Sequence, residues 1–416
     1  MKKATLLLAA SALFALSSCG GGAPAETFDY EGDILVWCAE AAQALTTSQV
    51  AKFLKDAGLD QKVKLTVAPV GEGDASSKMT TDVTAGADIY FFAQDQLASL
   101  RTAQALSSIG GKYKENIINN NGEVAVKAAS LGDKVYAFPC TSDNGYYLYY
   151  NASKLGENDV KEWEKIIAKA EADKLEVDFN YTSAWYNFGF FYATGCDSVW
   201  ETDKDGVFTD YTDTYNSDNG VKALKAMATI FGSSAVVDNS TAGGIGANCA
   251  ALVSGTWDFK AMKEKWGDDL RCVELPTFTV GDQKIHTGSF SGMKFVGVKP
   301  QTDEKKVKLL YAIADYLTGE AGQAERFEKL QWGPSNKKVA ASDAVKAAPQ
   351  IAALAAQNVY SKPQGQFPKK WWDLAGALPK DAIDLRKNGD PADADYKRLL
   401  TVYAAAIEEL KGSDEK

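Results

Sequence analysis

The stretch ADIYFFAQDQLASLRTAQAL (Ala87–Leu106) decides how this chain is read. Asp88-Ile89-Tyr90-Phe91-Phe92 is a short apolar run of the kind that forms a strand buried on both faces. A helix is predicted from about Asp95 to Leu106, separated from the strand by a polar turn alone. A strand feeding directly into a helix is the unit from which helix-covered sheets are built. The same succession recurs around it. Ile34–Trp37 reads as a strand, and Val50, Phe53, Leu54 and Ala57 fall at helical spacing with Gly58 where a C-cap belongs. Val63, Leu65 and Val67 then alternate as another strand. The pattern predicts an α/β protein built on mostly parallel sheets.

Farther along, Val160, Trp163, Ile166, Ile167 and Ala170 line one helix face, and Val221, Leu224, Met227, Ala228 and Phe231 another. Ala250–Val253 and Cys272–Leu275 read as strands, and a last helix is predicted to begin near Pro391. With 416 residues, 45% of them hydrophobic, the chain is long enough for two domains with separate cores. The formal net charge of −10 argues against nucleic acid, which needs a concentrated basic face.

The N-terminus has its own logic. Lys2 and Lys3 precede an apolar run, Ala4–Leu16, that is too short to span a bilayer. Leu16-Ser17-Ser18-Cys19 has the form of a lipobox, in which a signal peptidase cuts before a cysteine that then receives lipid such as palmitate. Residues 1–18 are thus expected to be a lipoprotein signal peptide, and 19–27 a flexible Gly-rich tether. This places the protein outside the cytoplasm, anchored to a bacterial membrane by that lipid alone. Five cysteines remain, Cys38, Cys140, Cys196, Cys249 and Cys272, an odd number with no zinc-ligand spacing.

Catalytic readings fare poorly. His286 is the sole histidine, and no nucleophile motif accompanies it. The Gly-rich STAGGIGA (Ser240–Ala247) lacks the lysine and hydroxyl of a phosphate loop. ETDKDG (Glu201–Gly206) lacks the ligands of a calcium loop and reads as a polar turn between strands. No catalytic residue, metal or cofactor is expected. A surface glycosidase, needing two cleft carboxylates, is the enzymatic alternative.

Trp37, Phe92, Tyr146, Tyr147, Trp185, Tyr186, Trp257, Trp332, Trp371 and Trp372 fall in predicted loops and strand ends. For any one of them a core position is the commoner fate. Together they suit a ligand with flat C–H patches ringed by hydroxyls, which calls for aromatic faces and fixed polar groups.

Several segments resemble the extracellular solute-binding proteins of sugar ABC transporters, the group that includes maltose-binding protein. Ala87–Leu106 is similar to that family's ligand-facing strand-turn-helix, and GDKVYAFPCTSDNGYYLYYN (Gly132–Asn151) to its first interlobe crossover. ALVSGTWDF (Ala251–Phe259) resembles the strand ending in Gly-x-Trp, VELPTF with GSFSGMKFVGV the second crossover, and GPSNKKV (Gly333–Val339) the third. The resemblance implies a two-lobed, type II-like periplasmic-binding-protein fold with hinge crossovers and a cleft between the lobes. Residues 28–140 and 291–331 would form lobe 1, and 141–290 and 332–416 lobe 2. It also implies a monomer that captures a mono- or oligosaccharide and delivers it to ABC transporter permease subunits. Polyamines or peptides are alternative solutes for the same fold.

Carried over residue by residue, the resemblance puts Phe92, Trp185, Trp257 and one of Trp371 and Trp372 at stacking positions, with Trp371 preferred. It puts Asp95, Asp143 and Glu40 at polar ones. Gln96 stands where maltose-binding protein has an arginine. The family's arginine one turn after the late tryptophan is replaced by Ala375-Gly376. The lipobox carries its own test: Cys19→Ala should abolish incorporation of labelled palmitate and release the protein from the membrane fraction. Retention of both would overturn the lipoprotein reading.

Overall fold

Apolar strands followed at once by helices leave a sheet little choice but to be covered on both faces, and here that happens twice. The computed structural model describes residues 26–387 and 389–411; Cys19, the signal peptide and most of the tether lie outside them. The strands of the two large sheets are β1 (Gly32–Cys38), β2 (Val63–Pro69), β3 (Ile89–Ala93), β4 (Phe138–Thr141), β5 (Tyr147–Asn151), β6 (Glu176–Asp178), β7 (Val236–Val237), β8 (Cys249–Ser254), β9 (Leu270–Val273) and β10 (Lys294–Val298). One sheet has the order β2-β1-β3-β10-β4 and the other β7-β6-β8-β5-β9.

The expectation of mostly parallel sheets needs a correction in each. β10 runs antiparallel to β3 and β4, and β5 runs antiparallel to β8 and β9. Both are the strands entered from the other lobe. β4 leaves the first sheet at its carboxyl end, crosses through residues 142–146, and β5 starts in the second sheet. If the carboxyl ends of both sheets face one cleft, a strand arriving across it must begin where its neighbours end. It therefore runs backwards.

Strand periodicity then distributes the second core. In β5, Leu148 and Tyr150 face one side with Ala251 and Val253 of β8, while Tyr147, Tyr149 and Leu252 face the other. The first side is covered by Trp163–Asp173, Ala184–Ala193, Asp218–Phe231, Lys369–Lys387 and Asp393–Glu408; the second carries Met262, Ala353 and Leu354. The first sheet has a separate core, with Val36, Ile89, Phe91, Phe138 and Val296 beneath Leu309, Ile313 and Leu317. Trp332, expected to open the second lobe, packs into this first core, so the third crossing starts beyond it.

Helix boundaries shift for local reasons. The first helix spans Glu40–Asp56, a turn and more earlier than the apolar spacing predicts, because Ala42, Leu45 and Thr46 are also buried. Gly58, with φ +69°, ends it as expected. ETDKDG ends the strand Ser198–Thr202 and supplies the turn, Asp203–Gly206, of its hairpin with Phe208–Asp213, and Asp205 in that turn pairs with Arg101 of the first lobe at 3.2 Å. All five described cysteines are free thiols, four of them buried. Among the described residues no helix is long and apolar enough to cross a membrane, and no His/Cys/Asp/Glu group could hold a metal ion. His286 stacks on Tyr360, ring centres 4.0 Å apart.

The return crossing is packed at backbone distance against the helix Ala184–Ala193. Gly288 N–H donates to the Gly189 carbonyl at 3.0 Å, and a Cβ on Gly189 would lie 2.1 Å from the Gly288 oxygen. Gly189→Ala must therefore push helix and crossing apart, an overpacking cost of about 1–3 kcal/mol. Thermal unfolding should show a lowered Tm, and an unchanged Tm would contradict the contact.

Candidate functional site

A cleft of about 850 Å³ lies between the lobes. Its lining follows from the strand directions: Ala39 and Ala41 come after β1, Gly71, Glu72 and Gly73 after β2, Asp95 and Gln96 after β3, Thr182–Tyr186 after β6, and Trp257 and Asp258 after β8. Lys294, at the start of reversed β10, joins them at the same end. Ligands of α/β sheets bind outside the carboxyl ends of strands, and here two sheets present those ends to one space.

The aromatic wall belongs to the second lobe. Trp185 stacks on Phe290 of the return crossing (5.2 Å, 17°) and meets Tyr146 edge-on at 5.7 Å. Trp372 lies 6.4 Å from Trp185 and packs edge-on against Phe290. Both rings are half-buried and line the cleft. Trp371, the preferred platform from sequence, is instead a core residue with no exposed surface. Its indole N–H donates to the Tyr403 hydroxyl at 3.0 Å and its ring stacks on Phe367 at 4.2 Å. Successive helix positions point about 100° apart, so only one of two adjacent tryptophans can face the cleft.

Phe92 is corrected in the same way. Every residue of β3 is buried, and Phe92 packs on Phe295 of β10 (5.6 Å, edge-on) without reaching the cleft. The cleft-lining residues begin only at the strand's end, with Ala93, and continue at Asp95 and Gln96. Burial pushes the Asp95 carboxyl up to about 7, against smaller opposing pulls from its own backbone N–H and the Gln364 side chain. Burial likewise raises Asp258, whose carboxylate accepts from the Ser254 hydroxyl at 2.7 Å.

Three polar residues have different roles from those the resemblance implied. Asp143 is 3% exposed and does not line the cleft; its carboxylate accepts from the Thr256 hydroxyl and the Gly333 N–H. It holds the neighbours of Trp257 and Trp332 rather than facing solvent. Gln96 does line the cleft, but both ends of its amide are committed to backbone: Ser76 N–H donates to its oxygen at 2.8 Å and its nitrogen donates to Gly73 O at 2.6 Å. It clamps the loop that carries Glu72. Glu40 is exposed in the first turn of its helix, where a carboxylate complements the helix dipole, and lies between two lining alanines without lining the cleft itself.

Trp257 lines the cleft, folded over Gly255 so closely that a Cβ there would fall 2.1 Å from the ring. The sequence reading missed Glu72, Lys294, Asp258 and Gln364, and left Trp332 without a role. Glu72 sits between two glycines and Lys294 in an apolar strand, so neither stands out until the strands are assembled. The missing arginine after Trp372 also has a cause: a Cβ on Gly376 would lie 2.5 Å from the Thr182 carbonyl oxygen. No longer side chain fits there. Lys380, one turn further, lines the cleft instead.

Comparison with known proteins agrees with this architecture. Among curated proteins none matches the sequence. Of solved structures, one chain with acarbose is 23% identical, covering 89% of this chain and 99% of that one, at a TM-score of 0.74. The maltodextrin-binding protein MalE1 of L. casei BL23, without ligand, is 22% identical over 92% of this chain and 100% of that one, at 0.73. The GacH receptor of Streptomyces glaucescens, solved unliganded and with acarbose, is 17% identical over 92% and 99%, also at 0.73. At these identities the likeness establishes the two-lobed binding-protein fold. The family model for bacterial extracellular solute-binding proteins matches residues 48–353, most of the chain. This protein therefore belongs to the bacterial extracellular solute-binding proteins, a family of binders rather than enzymes.

Proposed function

We propose that this protein captures a sugar, preferably an oligosaccharide, in the interlobe cleft and delivers it to the permease of an ABC transporter while anchored through lipid on Cys19. The observation that carries the reading is the wall formed by Trp185 and Trp372, which lines one cleft together with Asp95. Indole faces suit the C–H patches of a pyranose, and a carboxylate accepts its hydroxyls in charge-assisted hydrogen bonds. That structural neighbours carry acarbose or are maltodextrin-binding proteins supports the same ligand class. Closure follows from the crossings: a ligand touching both lobes favours the closed state by the contacts it gains only there. The moving bodies are the two lobes built on the two sheets, hinged at residues 142–146 and at the return crossing around Gly288–Gly292.

A thermal-shift screen across oligosaccharides, polyamines and peptides tests the ligand class, because only a true ligand raises Tm by mass action. A response to polyamines or peptides alone would replace the sugar reading. With a sugar in hand, Trp372→Ala should weaken binding by about 1–3 kcal/mol in calorimetry while lowering the ligand-free Tm much less than Trp371→Ala does. Trp371→Ala should do the reverse in kind, lowering stability by about 3–5 kcal/mol as a buried Trp lost from a core. Equal effects of the two on affinity would contradict the assignment.

Asp95 supplies a pH test. Its folded carboxyl titrates near 7, above the ordinary value of about 3.9, so folding favours the protonated form. Its contribution to ligand-free stability is thus fully present below about pH 4 and is lost as pH rises toward 7. Sugar hydroxyls donating to the ionised carboxylate pull that value down, so binding releases a proton. Affinity should rise between about pH 6 and 8, up to roughly tenfold per unit by which the ligand lowers the value. Calorimetry in buffers of different ionisation enthalpy would read the proton, and Asp95→Asn should flatten the profile. A flat wild-type profile would show that the ligand does not engage Asp95.

A further inference from the structure

The floor of the cleft holds a charge arrangement that ring stacking alone does not use. Lys294 is 7% exposed, with its ammonium 4.8 Å from the Trp257 ring centre and 4.9 Å from that of Trp332. Both rings attract the cation through their quadrupoles and fix where it sits. Glu72 Oε2 lies 3.6 Å from the same ammonium, an ion pair too long for a hydrogen bond, so the N–H donors are not committed to it. Glu72 is also 7% exposed, and its other oxygen, Oε1, is buried without any hydrogen-bond partner among the described residues. A buried carboxylate oxygen left this way costs free energy until a donor reaches it.

The pair is rigidly mounted. Ala93 N–H donates to the Glu72 carbonyl at 3.1 Å, and Gln96 clamps the following residues. On the other side, Asp143 holds Thr256 and Gly333, the residues adjoining the two tryptophans. One fixed donor and one fixed acceptor therefore sit side by side next to two indole rings. A sugar ring presents the complement: adjacent hydroxyls, one to accept from the ammonium and one to donate to the carboxylate, with C–H patches for the rings.

We infer that Glu72 and Lys294 form a vicinal-diol subsite, flanked by Trp257 and Trp332, that selects an uncharged sugar ring and rejects a uronate. The inference rests on the sugar reading above and specifies the chemistry of one of its subsites. A ring carboxylate seated there would meet the free oxygen of Glu72 in a poorly solvated floor, where like charges repel strongly. The Lys294 charge that would welcome it is already countered by Glu72.

The test uses wild type, Glu72→Gln and Lys294→Met with maltotriose, cellotriose, xylotriose and mannotriose as neutral probes and trigalacturonate as the acidic one. Thermal shift and calorimetry are the readouts, with ligand-free Tm and circular dichroism reporting the fold. Wild type should bind at least one neutral trisaccharide and not trigalacturonate. Glu72→Gln should lose at least tenfold in that neutral affinity and gain trigalacturonate, because the ammonium is then uncompensated. Lys294→Met should lose at least tenfold and gain nothing; if Glu72→Gln does not fold, this variant decides. Neutral affinity within twofold of wild type in the folded variants, or trigalacturonate binding by wild type, would overturn the subsite and leave the sugar reading standing. Wild type that responds to no sugar would overturn both.

Discussion

The Asp143 carboxylate is the point on which the cleft depends. It sits in the first crossing between the lobes, almost fully buried, and accepts from Thr256 after β8 and from Gly333 at the third crossing. Ser142 N–H adds a bond to the Gly333 carbonyl at 3.0 Å, and Asn144 N–H reaches the Gly292 carbonyl in the return crossing at 3.2 Å. One short segment thus ties the other two crossings and the loop bearing Trp257 into a single knot. Buried acceptors are stable only when their donors arrive, so the knot forms as a unit or not at all. Trp257 and Trp332 keep their places beside Lys294 because their neighbours are held there.

The reversed strands express the same constraint at the scale of the sheets. A chain that must cross one cleft repeatedly has to enter each sheet from the cleft side. That requirement reverses β5 and β10 and brings Lys294, at the first position of β10, to the same edge as residues that follow the carboxyl ends of β2, β3 and β8. An ammonium is thereby placed among loops that otherwise bring carboxylates. The wall of Trp185 and Trp372 rests on Phe290 of the return crossing. The surface that meets a ligand is therefore in direct contact with a segment expected to bend on closure.

Much of this was legible in the sequence because it is local. Apolar runs marked β1, β2, β3, β8 and β9 and helical spacing marked several of the covering helices, and aromatic residues just after strands marked the cleft in outline. What the sequence could not rank was which ring of a pair turned outward. Phe92 and Trp371 are as aromatic as Trp185 and Trp372; they fell to the core because β3 is buried on both faces and because a helix can turn only one of two adjacent residues toward the cleft. Asp143 and Gln96 look like ligand acceptors until their partners are seen to be Thr256, Gly333, Gly73 and Ser76.

By itself the sequence determined the fold class, the expectation of a lipid anchor, and the aromatic and acidic character of the site, since these follow from periodicity, composition and short motifs; the two lobes and their crossings were what the family resemblance implied. Only the tertiary structure decided which side chains line the cleft and which brace it. The physical reason is that a carboxylate, an amide or an indole is satisfied equally well by a ligand or by a distant part of its own chain. Which partner it finds depends on contacts between residues more than a hundred positions apart, as Asp143 is from Thr256 and Gly333.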